Sequence, residues 1–531
     1  MEGGGYSNNY ANPSMLSESL LPNSYNRSTV DMRASSTKAR RTARRQMHGS
    51  HLDDCAKMEV EQLSSRLVSY RAMYLATGAY CSCTSLITPL FRQFMKDRDS
   101  RYTDEFTLLI QAAWVAKPLF AFLSDWIFPF NFRIKGYVVV LAIVNAILCI
   151  IGAIHVQKIT QPHQSLVPFQ MMTFFIFVNL AFVDSICQGM TTITLRLEQR
   201  LVSMQVRANA RQPSLIKNYM SYLIVRQIAG SVFILLASYL KDKSSTTSEN
   251  DIAVAFILIS ILSIGCALQA LLLFSEFKQS SQIRKGTTFK GQFSKFKAAL
   301  IQDGGHVLLL FTFLTPLNPY SSIDFTSLYS KVNQTFNNSL VFVTEPITSV
   351  CLALCMIYLL MKRIGYFSRS VLYVVGFYSL EIFIILLNFW SWPEPPSQAM
   401  LVTMFILQVF YSEASTNASL ILVIQSVAKH CEEGVESFSI NMVTCAMNLG
   451  GLLSGYATGA IQDGYLSNIE DQSHYEKIVK RLLMAAAFIT LLFGLVNFVT
   501  VIKMVPQHPE EEVPKTDKTL PITAFNSTLR E

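Results

Sequence analysis

The sequence predicts an all-α integral membrane protein, on three observations. Hydrophobic residues make up 51% of the 531 and charged residues only 15%, where soluble domains carry roughly 25% charged. The chain offers about twelve apolar runs of spanning length, each near the ~20 residues a helix needs to cross a hydrocarbon core. The longest interior polar segment, residues 276–303, falls between the sixth and seventh runs and divides them into two groups of six.

Taken in order, residues 1–62 are rich in Ser, Asn, Gly and Arg with almost no apolar periodicity, which predicts a disordered, basic cytoplasmic tail. Its cluster Lys38, Arg40, Arg41, Arg44 and Arg45 reads first as a topology signal. The second reading is contact with anionic lipid, at roughly 1 kcal/mol per basic residue near the surface. No apolar run follows a short basic start, so no cleavable signal peptide is expected. Residues 63–275 form the N-terminal six-helix half, with spans near 68–90, 106–124, 137–155, 168–190, 215–240 and 252–275. A cytoplasmic linker, 276–303, follows. In it Phe289, Phe293 and Phe296 with Lys290, Lys295 and Lys297 suit either a basic amphipathic helix on the inner leaflet or a mobile connection. The C-terminal half, 304–505, has spans near 304–322, 339–361, 370–391, 398–423, 435–460 and 482–504, and residues 506–531 are a second cytoplasmic tail.

Loop charge sets the orientation. With the N-terminus inside, the cytoplasmic loops hold Arg133, Lys135, Arg196, Arg200 and the linker lysines, while the largest outside group is Arg92, Lys96, Arg98 and Arg101. The excess of Lys and Arg is then inside, with both termini cytoplasmic. Two sequons, at Asn333 and Asn337, fall in the outside loop between spans seven and eight, so a glycan is expected there and not at Asn26 or Asn526. The host membrane is the plasma membrane or that of an internal organelle.

None of the ten cysteines lies in an expected outside loop, so no disulfide framework is expected. Neither Cys81 with Cys83 nor Cys351 with Cys355 is completed to a zinc site by a histidine or a second pair. The sequence has no phosphate-cradling glycine loop and no nucleophile elbow. Neither an enzyme nor an ATP-driven pump is indicated, and no metal, cofactor or nucleic-acid partner is expected.

Ionisable residues inside spans are the functional candidates, because the bilayer penalises charge that is neither paired nor facing water. Lys117 lies in an otherwise apolar run beside Pro118. In the fourth span Asp184, Gln188 and Thr191 share a helical face, as Asn218, Tyr222 and Arg226 do in the fifth. The eighth span carries Glu345 before Pro346, the ninth Glu381, and the tenth Glu413 with Asn417 one turn on. For Glu345 and Glu381 a position near a span end is the simpler reading. For Asp184, Arg226 and Glu413 the alternative to lining a cavity is a structural ion pair between helices. Gly451, Gly455 and Gly459 in the eleventh span are spaced for close helix packing.

Two stretches carry a resemblance. Residues 112–137 contain Trp114-x-x-Lys117-Pro118, then Leu123-Ser124-Asp125, then Arg133-x-Lys135-Gly136-Tyr137. Residues 428–451 contain Cys431-Glu432-Glu433-Gly434-Val435-Glu436. The first resembles the loop signature between the second and third helices of major facilitator transporters. Together they resemble the folate-biopterin transporter family within that superfamily, over about residues 68–505. The resemblance implies a twelve-helix major facilitator fold and secondary transport of a small organic solute by alternating access, with protons as a candidate coupling ion and a monomer as the working unit. It implies solute binding or coupling at Trp114, Lys117, Asp184, Gln188, Tyr222, Arg226, Glu345 and Glu413. Gating falls to Asp125, Arg133 and Glu436, since the loop aspartate of such proteins approaches the start of the eleventh helix. Two departures stand out: Glu432 or Glu433 replaces a usual proline, and Gln188 sits where the family has a second acid. A different organic anion or an amino-acid-derived solute therefore stays open, as does a non-transporting receptor or scaffold on the same fold.

Overall fold

The computed structural model describes residues 64–98, 100–127, 129–159, 166–206, 217–242, 249–276, 288–302, 305–318, 378–392, 398–430, 435–461 and 471–504, with isolated positions elsewhere. Everything below concerns the compact unit Leu63–Glu531. The expected eighth span with Glu345, both sequons, and both terminal tails lie outside the described residues, apart from isolated positions.

The described elements are helices throughout. The first span is two pieces, α1 (64–81) and α2 (Thr84–Arg98), separated by a tight turn at Ser82 and Cys83. The second is also two, α3 (Ser100–Val115) and α4 (Lys117–Trp126). Then come α5 (Lys135–Ile159), α6 (Val167–Val206), α7 (Lys217–Asp242) and α8 (Glu249–Leu272). The segment expected to be the linker holds α9 (Phe289–Gln302), with Lys290, Phe293, Lys295 and Lys297 exposed. The C-terminal half contributes α10 (Gly305–Leu314), α11 (Tyr378–Ser391), α12 (Gln398–His430), α13 (Glu436–Gly459) and α14 (Gln472–Met504).

Several helices outrun the spans expected from hydropathy. The outside loop expected at 91–105 is helical up to Arg98 and again from Ser100, and α6 continues to Val206 with Arg196 and Arg200 on it. Hydropathy marks where a helix leaves the hydrocarbon, not where its hydrogen bonds end.

Lipid-facing and protein-facing sides separate cleanly on α5. Ile143, Ile147, Ile150 and Ile154 form an exposed stripe at helical spacing, while Ala142, Asn145, Ala146 and Cys149 are buried. The buried face packs on α8, where Asn145 Nδ2 donates to Ser263 Oγ at 3.2 Å. At one end the two helices cap each other. The backbone N–H groups of Arg133, Ile134 and Lys135 donate to the Glu276 carboxylate at 2.8–3.1 Å. In return Lys135 Nζ donates to the carbonyls of Leu271 and Phe274 at 2.9 and 3.0 Å. An anion thus meets one helix start and a cation the other's end, the favourable polarity for both dipoles. Burial pushes the Glu276 carboxyl above the ordinary carboxylate range, while the three N–H donors pull the other way.

The α4–α5 turn explains the glycine of the R-x-K-G-Y motif. A Cβ on Gly136 would lie 2.3 Å from the Pro129 carbonyl oxygen, so the turn closes only over a residue without a side chain. In the eleventh span the Gly451, Gly455 and Gly459 series does not mediate the close approach it suggested. Among the described residues, added Cβ atoms there would meet nothing nearer than 3.8 Å, whereas at Gly450 one would meet the Phe313 carbonyl at 2.3 Å. The contact of α13 with α10 therefore runs through the neighbouring glycine.

The break between α3 and α4 follows from Pro118. Proline has no N–H to give to the carbonyl four residues back, that of Trp114. Leu119 N donates to Ala116 O at 3.0 Å, and so does not serve Val115 O. Both stranded carbonyls are served from α13: Asn448 Nδ2 donates to Trp114 O at 3.0 Å and Cys445 Sγ to Val115 O at 3.4 Å. In a bilayer such groups must find protein partners. Replacing Asn448 by leucine should lower stability by about 1–3 kcal/mol, read as the thermal midpoint in detergent. With Pro118→Ala, which restores the N–H, the same replacement should cost markedly less. Equal costs in both backgrounds would separate Asn448 from the proline break.

Candidate functional site

The break in the second span fixes where Lys117 points. As the first residue of α4 it is buried, and its ammonium pairs with Asp184 Oδ2 on α6. Asp184 is itself 1% exposed and collects more than this one partner. Tyr222 Oη on α7 donates to Oδ1, Arg226 Nη1 pairs with the same oxygen at 3.3 Å, and Gln188 Nε2 donates to Oδ2 at 3.2 Å. Among the described contacts, two cations thus share one carboxylate. The Trp114 ring borders both cations, with Lys117 Nζ 4.4 Å and Arg226 Cζ 5.8 Å from its centroid. Lys117 is enclosed, whereas the Arg226 side chain is 31% exposed.

The spacing reasoning works here because one helical face does collect the polar groups. On α6, Thr191 and Thr194 lie one and two turns beyond Cys187 and hydrogen-bond Tyr74 of α1, at 3.2 and 3.4 Å. On the same helix Gln188 reaches across to the C-terminal half, where Thr444 Oγ1 of α13 donates to its Oε1 at 3.2 Å. Asn441 Nδ2, one turn earlier on α13, donates to the Ser185 carbonyl at 3.1 Å. Gln188 is therefore a bridge: its amide gives to Asp184 and accepts from Thr444, and a carboxylate could only accept.

A second constellation lies at the end of α4. Asp125 Oδ1 pairs with Arg133 of the α4–α5 turn, and Asp125 Oδ2 accepts the Phe438 N–H at 3.0 Å. That N–H belongs to the first turn of α13, where a carboxylate is favoured by the unpaired donors and the helix dipole. Beside it α6 and α13 touch so closely that a Cβ on Gly189 would lie 2.0 Å from Ser437 Oγ and 3.0 Å from its Cα. The halves are latched together at the end expected to face the cytoplasm.

Of the residues singled out from sequence, Trp114, Lys117, Asp184, Gln188, Tyr222 and Arg226 come together in one cluster, and Asp125 and Arg133 in the other. Glu436 begins α13 and Glu413 lies within α12. Their side chains, like the whole of Glu345, lie outside the described residues. Glu381, read as sitting near a span end, is instead fully buried, with Asn318 and Tyr411 donating to its carboxylate. Sequence reasoning passed over Asn441, Thr444, Cys445 and Asn448, which form a polar stripe along α13 at helical spacing. That period was legible, but the glycines of the same helix drew the attention. Glu276 gave no signal at all, since nothing local marks a loop carboxylate as the cap of a distant helix.

Gly189 and Asp125 give separable handles on the latch. Gly189→Val should force α6 from α13 and lengthen the distance between spin labels on the α4–α5 and α12–α13 loops. Asp125→Ala should do so less, and Asp125→Asn least, since an amide oxygen still accepts from Phe438. Unchanged distance distributions in Gly189→Val would mean that the contact does not hold the halves together.

No protein-family model matches the chain, and no curated protein matches it. Solved structures do. The nucleoside transporter NupG, in a mutant form, aligns with a TM-score of 0.50 at 13% identity over 81% of this chain and 99% of that one. A bacterial homologue of the iron transporter ferroportin, in its outward-facing state with soaked iron, aligns with 0.53 at 12% over 82% and 98%. A further structure of a bacterial ferroportin homologue in its outward-facing state gives 0.52 at 12% over 82% and 98%. With its apolar helices of spanning length, the chain is an integral, multi-pass membrane protein with the all-α, twelve-helix major facilitator fold.

Proposed function

We propose that this chain is a secondary active transporter that moves a small organic anion, folate- or pterin-like, by alternating access. The observation that carries this reading is the Asp184 cluster: two buried or half-buried cations against one carboxylate, next to an aromatic face. A protein that only needed to be stable would do as well with packed apolar side chains, because a buried ion pair recovers little more than its own desolvation. That weighs against a receptor or scaffold. A flat, conjugated anion suits the arrangement, since its carboxylate has the partly exposed Arg226 fork to pair with and its ring has the Trp114 face to stack on. The residues of the W-x-x-K-P motif are the ones that build the cluster, which supports the resemblance to folate-biopterin transporters.

The glutamine at position 188 favours an anion further. A second acid beside Asp184 would put two carboxylates on one lysine. With an amide no further negative charge is added and the bridge to Thr444 is kept. In this reading the solute's carboxylate competes with Asp184 for Arg226, which loosens the cluster on one side while the Gln188 bridge ties it to α13. Release of the latch at Asp125 and Phe438 then lets the opposite end open. The contact set along α13 is what must break and reform, so its polar partners are the moving part of the cycle.

Proteoliposomes offered labelled folate, biopterin and a broad panel of organic solutes test the reading. Lys117→Ala should abolish uptake. Lys117→Arg should restore only part of it, because a planar fork is not a point charge. Removing one partner of a buried pair costs on the order of 3–5 kcal/mol, so Lys117→Ala should also lower the thermal midpoint. Adding Asp184→Asn should recover stability but not transport. Full uptake by Lys117→Ala would remove this residue from the site.

A further inference from the structure

The C-terminal half contains a buried carboxylate of a different kind from Asp184. Glu381 of α11 is 0% exposed. Asn318 Nδ2, just past α10, donates to its Oε1, and Tyr411 Oη of α12 donates to its Oε2. Asn318 is held in turn: Thr490 Oγ1 of α14 donates to its side-chain oxygen at 3.1 Å, and Ser454 Oγ of α13 donates to its carbonyl at 3.0 Å. The acid is thus bonded from α12 and from the segment after α10, and through Asn318 it is tied to α13 and α14. Among its described partners Tyr411 is the titratable one, and none is a lysine, arginine or histidine; Tyr378, one turn earlier on α11, instead accepts from Asn497 of α14.

The geometry points to Glu381 as a proton-binding site of the C-terminal half, separate from the Asp184 cluster, at which a proton loads and leaves as access alternates. A charged carboxylate inside a membrane protein needs a cation or water to be tolerable. Asp184 has two cations and can remain ionised throughout the cycle. Glu381 has two neutral donors, enough to orient it but not to neutralise it. With the proton bound, Oε2–H donates to Tyr411 Oη and Oε1 keeps the Asn318 amide, so the carboxyl is satisfied without charge. When the proton leaves, the remaining charge must reach water or draw in a cation, either of which requires the surrounding helices to part. Proton occupancy and helix closure are thereby linked through Asn318, which touches α13 and α14 as well as Glu381. The coupling role rests on the transport function proposed above, whereas proton binding itself does not.

Infrared difference spectra of the reconstituted full chain, recorded between neutral and alkaline pH in H2O and D2O, read the proton directly. The wild type should show a carboxylic-acid C=O stretch at neutral pH that shifts in D2O and disappears in Glu381→Gln. Tyr411→Phe should keep the band and move it to higher frequency, because a hydrogen bond is lost. Identical spectra for wild type and Glu381→Gln would overturn the site. Should Glu381→Gln fail to insert, an unmoved band in Tyr411→Phe would overturn it equally. In transport, Glu381→Gln should still exchange labelled folate or biopterin across the membrane, yet lose accumulation driven by a pH gradient; undiminished accumulation would contradict the coupling role. Wild-type vesicles that carry neither probe would count against the substrate class, while the infrared band still decides the proton site.

Discussion

A lysine ammonium next to a proline, in the middle of a membrane-spanning segment, is the constraint from which the N-terminal half is built. The ammonium must be paired, so Asp184 of α6 is brought to it. Proline strands backbone carbonyls, so Asn448 and Cys445 of α13 are brought to them. One dipeptide, Lys117-Pro118, thus demands a partner from its own half for its charge and from the other half for its backbone. The two demands set the packing of α4 between α6 and α13, and this packing puts the cation cluster beside the surface along which the halves meet.

The hydrogen bonds described across that surface suit a contact that opens. Asn441, Thr444 and Asn448 each reach a carbonyl or amide of the N-terminal half, and Asp125 caps α13 at its start. Each bond exchanged for water contributes only about 1 kcal/mol net, so the closed arrangement can be left without a large barrier from any one contact. Gly189 supplies the opposite property, a close fit that any side chain would block. Weak bonds with an exact steric seat favour two discrete states over a continuum.

Much of this was legible in the chain. Low charge content and runs of spanning length give the membrane architecture, and the burial of Lys117 and Asp184 follows from charges standing where hydropathy forbids them. The 3-to-4-residue spacing of Asp184, Gln188 and Thr191 correctly places them on one face. What spacing cannot give is which faces meet. That Tyr222, Gln188 and Arg226 all turn on one carboxylate, and that Gln188 hands the network on to Thr444, depends on packing between helices distant in sequence. Glu381 shows the limit from the other side: its simpler reading is a position near a span end, and its full burial emerges only once Asn318 and Tyr411 are seen to enclose it. The helix lengths were misjudged for a related reason, since α2 and α6 run past the apolar stretch into charged sequence.

In the proposed function, the solute binds at the Lys117, Asp184 and Arg226 cluster beside Trp114. The chain has four tryptophans, and with Trp126, Trp390 and Trp392 changed to phenylalanine the emission of Trp114 can be followed alone. Titration with folate or biopterin, corrected for absorption by the ligand, should quench it along a saturating curve that Arg226→Ala weakens at least tenfold and Lys117→Ala abolishes. A saturating curve unchanged by both substitutions would place the binding site elsewhere.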